Sequence, residues 1–94
     1  MLRSIRKIKW GKMDEYIAQH AKLEARWRAL GMPPLKQYRK LGSSNTIIGD
    51  REFESLTAME AAGPTVMNDP ELKALRPALM ALIEDQEWEI YAVV

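Results

Sequence analysis

The chain holds a single histidine, His20, and Glu24 follows it four positions later. On a helix that spacing sets the carboxylate beside the imidazole, the pairing that a general base or a ligand-orienting group needs. The same pair in a packed interior would only satisfy the ring nitrogens, so a structural role stands beside the chemical one. The aromatic residues Trp10, Tyr16, Trp27, Tyr38 and Phe53 can wall a flat apolar pocket, or pack a core and an interface. Arg51 interrupts the apolar run TIIGDREF on the parity of Ile47, Gly49 and Phe53. A guanidinium there can hold an anionic group in a pocket, or pair with acids across strands or across a dimer interface.

Asp50, Glu52 and Glu54 alternate in the same run and so share one strand face. Three carboxylates on one face suit a hard cation, but Lys7 and Lys9 on a neighbouring strand would turn them into an ion-pair ladder. No metal site is expected. Ser55 has no base nearby and no Gly-x-Ser-x-Gly context, so it reads as a helix cap rather than a nucleophile. The absence of cysteine removes disulfides, thiolate chemistry and zinc–sulfur sites.

The elements that must position these groups follow from pattern. Ile5, Ile8 and Trp10 among basic residues predict a strand over 2–10, ended by Gly11-Lys12. Arg and Lys without acid in this segment also suit a mitochondrial transit peptide, but the fold needs it as a strand, and the expected location is the cytoplasm. From Asp14, a capping or first-turn acid, a helix carries Met13, Tyr16, Ile17, His20, Leu23, Trp27 and Leu30 on one stripe. Gly31 and Pro33-Pro34 end it. LKQYRKL and TIIGDREF, joined by GSSN at 42–45, predict a hairpin over 35–53. Ser55 caps a second helix that Gly63-Pro64 should kink or break, and Asp69-Pro70 starts a further helix with Leu72, Leu75, Leu79, Leu82 and Ile83 inward. After EDQE, WEIYAVV (88–94) predicts the last strand.

That order is β-α-β-β-α-β with a segmented second helix. It predicts one α+β domain of ferredoxin-like type over residues 1–94, with a four-stranded antiparallel sheet and strand 1 between strands 3 and 4. Residues 1–40 carry eleven Lys and Arg against three Asp and Glu, and residues 41–94 carry three against ten. In this topology the two halves interleave, so the asymmetry is internal complementarity. No nucleic-acid partner is expected: aromatics on strands 1 and 3 are limited to Trp10 and Phe53, both at strand ends. The apolar runs are too short to span a membrane.

KIKWGKMDEYIAQH resembles the strand-to-helix opening of the dimeric α+β barrel superfamily, with Trp10 where a proline is usual. REFESLTAMEAA followed by NDPELKAL resembles the second half of its NIPSNAP branch through Phe53, Glu54, Ser55, Leu56, Ala61, Ala62, Asp69, Pro70 and Glu71. Arg51 and Gly63-Pro64 depart from that pattern. The resemblance, which extends to the antibiotic-biosynthesis-monooxygenase-like proteins, implies a homodimer in which two sheets face one another. Two helices cover one sheet face only, and the other needs a partner. It also implies a small apolar or aromatic ligand between helix 1 and the sheet, held by Tyr16, His20, Glu24, Trp27, Arg51 and Phe53. His20 is the candidate catalytic group of a cofactor-independent oxygenase or isomerase. The Asn-Trp-His set of haem-degrading relatives has no counterpart in this chain, and no cofactor is expected. A non-catalytic binding or scaffold protein is the alternative.

Overall fold

The computed structural model describes residues 1–42 and 44–94; Ser43, in the predicted GSSN turn, lies outside the described residues. The elements are β1 (Leu2–Ile8), α1 (Met13–Ala29), β2 (Leu35–Arg39), β3 (Thr46–Arg51), α2 (Leu56–Asn68), α3 (Pro70–Met80) and β4 (Ile83–Ile90). The four strands form one antiparallel sheet in the order β2-β3-β1-β4, the ferredoxin-like arrangement read from the sequence. The helices cover one face, and the molecule is a slab of 37 × 35 × 17 Å.

Between sheet and helices lies a core of Ile8, Met13, Tyr16, Leu23, Ile47, Val66, Leu72 and Leu79. Helix α1 begins without a side-chain cap, with Asp14 and Glu15 in its first turn and Arg26 and Arg28 in its last, each sign favoured by the helix dipole. It ends in a Schellman turn: the Gly31 N–H donates to Arg28 O and the Met32 N–H to Trp27 O. Gly31 takes φ +85° there, which favours glycine at that position. Ile17, expected inward, is 50 % exposed. The inward arc narrows to Met13, Tyr16 and Leu23 because it faces a sheet that α3 also occupies.

β1 and β2 each end two residues short of the sequence expectation, at Ile8 and Arg39, and the larger differences are at α2, β3 and β4. Helix α2 runs unbroken through Gly63-Pro64 to Asn68. Pro64 and Glu60, four residues before it, are both exposed, so the carbonyl deprived of an N–H can meet water. Gly63 adds no Cβ for the proline ring to strike. The break falls at Asp69, which caps α3 by accepting from Leu72 N at 3.0 Å and takes a bidentate pair from Arg26 at 2.6 and 3.0 Å. That pair ties α1 to the α2–α3 junction and holds the Asp69 carboxyl down at about 2.

Strand β3 stops at Arg51, which leaves Glu52, Phe53 and Glu54 beyond the strand, so the expected ladder of three acids does not form. β4 begins at Ile83, taking in EDQE, and ends at Ile90. Its acids Asp85, Glu87 and Glu89 stand opposite Lys7, Ile5 and Arg3, on the face away from the helices. Trp88 and Ile90 therefore point to the helix side, opposite Ser4 and Leu2, and do not supply the uncovered face. The apolar part of that face is a single row, Tyr38–Ile48–Ile5. Beside it runs a row of alternating charge, Lys36–Asp50–Arg3–Glu89, fixed at its centre by Arg3 binding Asp50 through two hydrogen bonds of 2.7 and 2.9 Å. The interleaving of basic and acidic halves is thus real, with Asp50 and β4 as its acidic members.

Candidate functional site

Alternation along β3 points Ile47, Gly49 and Arg51 at the helices. Arg51 is 6 % exposed, and a buried guanidinium needs full pairing. It has it. Nη1 and Nη2 each donate to one oxygen of Glu24 on α1, and Nη1 also donates to the Pro33 carbonyl presented by the turn after α1. Trp27 lies over its plane, 4.4 Å from Cζ to the ring centroid. Glu24 is thereby committed to Arg51 and does not orient His20. Gln37 on β2 does that, its Nε2 standing 3.3 Å from His20 Nδ1. With the Gln37 amide nitrogen turned to the ring, Nδ1 accepts and the neutral ring carries its proton on Nε2. Burial, then the positive charges of Arg6 and Arg51 against the opposing Glu24, hold His20 down at about 4. At neutral pH His20 is a hydrogen-bond donor and a weak base, which weighs against the general-base role raised by the sequence.

His20, Glu24, Trp27 and Arg51 together line a small cavity of about 50 Å³ under α1, room for a few water molecules and no more. Part of the space exists because residue 49 is glycine. A Cβ there would come 3.0 Å from Ser4 Oγ and 3.2 Å from a Leu35 methyl. Tyr16 does not line this cavity. It is buried to 1 % in the core, and its hydroxyl accepts from Arg6 Nη1 at 3.1 Å.

The cavity adjoins a larger groove through shared walls at Leu2, Arg6, Leu23, Trp27 and Trp88. This groove encloses about 450 Å³ between the sheet and α2–α3, within the range of small-molecule sites. Phe53 belongs to it, beside Met59, Val66, Met67 and Met80. The sequence-derived set therefore divides: four residues at the small polar cavity, Phe53 with Trp27 at the groove, and Tyr16 beneath both. Arg6, Gln86 and Trp88 were not anticipated. The period-2 pattern of β1 puts Arg6 on the parity of Ser4 and Ile8, and an arginine facing the core side of a strand was the available signal. Among the described residues no group of three or more His, Cys, Asp or Glu gathers as metal ligands, and no helix is long and apolar enough to cross a membrane.

An antiparallel β2-β3-β1-β4 sheet, helices on one face and a groove between them define a ferredoxin-like α+β protein with a ligand-sized hollow. No family model and no curated protein matches the chain; solved structures do. A NIPSNAP family protein from Agrobacterium tumefaciens is 23 % identical, with a TM-score of 0.86 over 99 % of this chain and 90 % of that one. An uncharacterised NIPSNAP domain protein from Burkholderia xenovorans is 19 % identical, with a TM-score of 0.77 over 98 % and 95 %. An antibiotic biosynthesis monooxygenase is 15 % identical, with a TM-score of 0.73 over 100 % and 99 %. The resemblance read from the sequence is matched by structure: the chain has the fold that these NIPSNAP and monooxygenase proteins share.

Proposed function

We propose that the protein is a small NIPSNAP-like homodimer that binds a small, mostly apolar molecule in the groove between the sheet and its helices. The observation that carries this is the groove itself. A groove of about 450 Å³ walled by Trp27, Phe53, Met59, Val66 and Trp88 has the size and the apolar, aromatic lining of a small-molecule site. Thioether side chains there can adapt to varied ligands. The chemistry that the neighbouring cavity supports is polarisation rather than base catalysis. A neutral His20 offering Nε2–H, and the positive charge of Arg6, would stabilise an oxyanion or enolate developing on a bound carbonyl. A cofactor-independent oxygenase or isomerase draws on that stabilisation. A non-catalytic binding protein needs only the groove.

Dimerisation is supported by the uncovered sheet face. Tyr38, Ile48 and Ile5 form an apolar row beside alternating charges, a pattern that an antiparallel copy can complement. Thermal unfolding with hydroquinones, short fatty acids and haem tests the binding: a saturable rise in Tm is expected with at least one flat or apolar compound, and no rise with any of them sinks it. Light scattering at micromolar protein should give twice the chain mass.

A further inference from the structure

The groove is cationic as well as apolar. Arg6 and Arg76 both line it, and no aspartate or glutamate does. Arg3, Arg26 and Arg51 are each bound to a carboxylate, whereas Arg28 and Arg39, which also lack an ion pair among the described residues, stand exposed to water. Arg6 and Arg76 form no ion pair among the described residues; Arg6 donates to the Tyr16 hydroxyl and Arg76 to the Val66 carbonyl. Arg6 also keeps its Nε buried without an acceptor, at a stage of the fold where almost every buried donor is satisfied. Directly across the β1–β4 ladder Gln86, also lining the groove, leaves its buried amide oxygen without a donor. Trp88 stacks near the Arg6 guanidinium at 5.5 Å, which restrains that side chain at the junction of cavity and groove.

We propose that the ligand is an organic carboxylic acid, its carboxylate held at Arg6 and its apolar body lying along the Met-rich groove. This rests on the groove being a binding site and goes beyond it by naming the head group. A carboxylate would accept from the Arg6 guanidinium, whose Nε has no acceptor among the described residues, and would bring the missing negative charge. Gln86, with its amide turned, can donate to the second oxygen. The tail then faces Phe53, Met59 and Met80.

The test compares decanoate with decanol, equal in chain length and different only in the head group, by quenching of Trp27 and Trp88 fluorescence. Decanoate should bind about tenfold or more tighter, the contribution of one charge-assisted hydrogen bond. The variant R6Q should remove that advantage while still binding decanol, which also shows that it is folded. Equal affinity of the wild type for both compounds leaves the groove standing and overturns the carboxylate assignment. An advantage that survives in R6Q overturns the role of Arg6. Failure of both compounds to bind the wild type would instead count against the groove as a binding site.

Discussion

The two hollows beneath the helices share walls but are finished differently. In the small cavity the polar groups away from the shared wall are answered: Arg51 by Glu24 and Pro33, the neutral His20 by Gln37. In the groove the reverse holds, for Arg6 and Arg76 have neutral partners only and the walls are thioether and aromatic. A closed ion pair in a space of about 50 Å³ fixes α1 on the sheet. An open cationic groove nine times that size is fitted for something that comes and goes. Polar residues clustered in the interior thus serve the scaffold here, and the groove arginines left without an acid mark the proposed site.

Four changes would break or sharpen this contrast. The largest effect is expected from R51A, which leaves Glu24 charged under α1 without its partner; stability should fall by about 3 kcal/mol in urea unfolding. The double variant R51M/E24M should recover most of that loss, as apolar replacement of a whole buried pair often does. G49A comes next, forcing a methyl against Ser4 and Leu35 at a cost of about 1–3 kcal/mol, with ligand affinity of the groove nearly unchanged. M59A removes a half-buried wall of the groove. It should cost about 1 kcal/mol of stability, less than the burial of a full core methionine, yet weaken ligand binding several-fold.

The smallest effect is one of pH. His20 titrates at about 4 in the fold against about 6.5 unfolded, so between those values the unfolded chain binds more protons. Stability should therefore rise with pH through that window and be lost as pH falls through it. The variant H20N should flatten that slope in urea midpoints measured from pH 4 to 6.5, and an unchanged slope would mean that the ring is not held neutral.

The element order read from periodicity made the sheet order legible, because a β-α-β-β-α-β chain of this type places strand 1 between strands 3 and 4, and the interleaving of charge followed from that order. The caps at Ser55 and Asp69 were legible for the same kind of reason, a side-chain oxygen three residues before a free N–H. Proline was over-weighted at Pro64, where an exposed carbonyl made the missing bond cheap. The end of β3 was misplaced because alternation continues through Phe53 although pairing with β1 and β2 ends at Arg51. At the site, Arg51 stood out as a charge in an apolar run. Its partner Glu24 was named for the wrong neighbour, since helical spacing favours His20 and only tertiary packing brings β3 underneath. Arg6 escaped because Arg3 and Lys7 stand in the same strand and drew it into a general basic pattern, although its parity with Ser4 and Ile8 set it on the core side.

Methionine methyl resonances give the most direct test that the groove is where a ligand binds. Of the six methionines, Met59, Met67 and Met80 line the groove, Met13 is in the core, and Met1 and Met32 lie elsewhere. Titration of ¹³C-methyl-labelled protein with decanoate should move the Met59, Met67 and Met80 signals together and saturably, with Met1 and Met32 still. Shifts centred on Met32, or none at all under conditions where the protein is folded, would contradict binding in the groove.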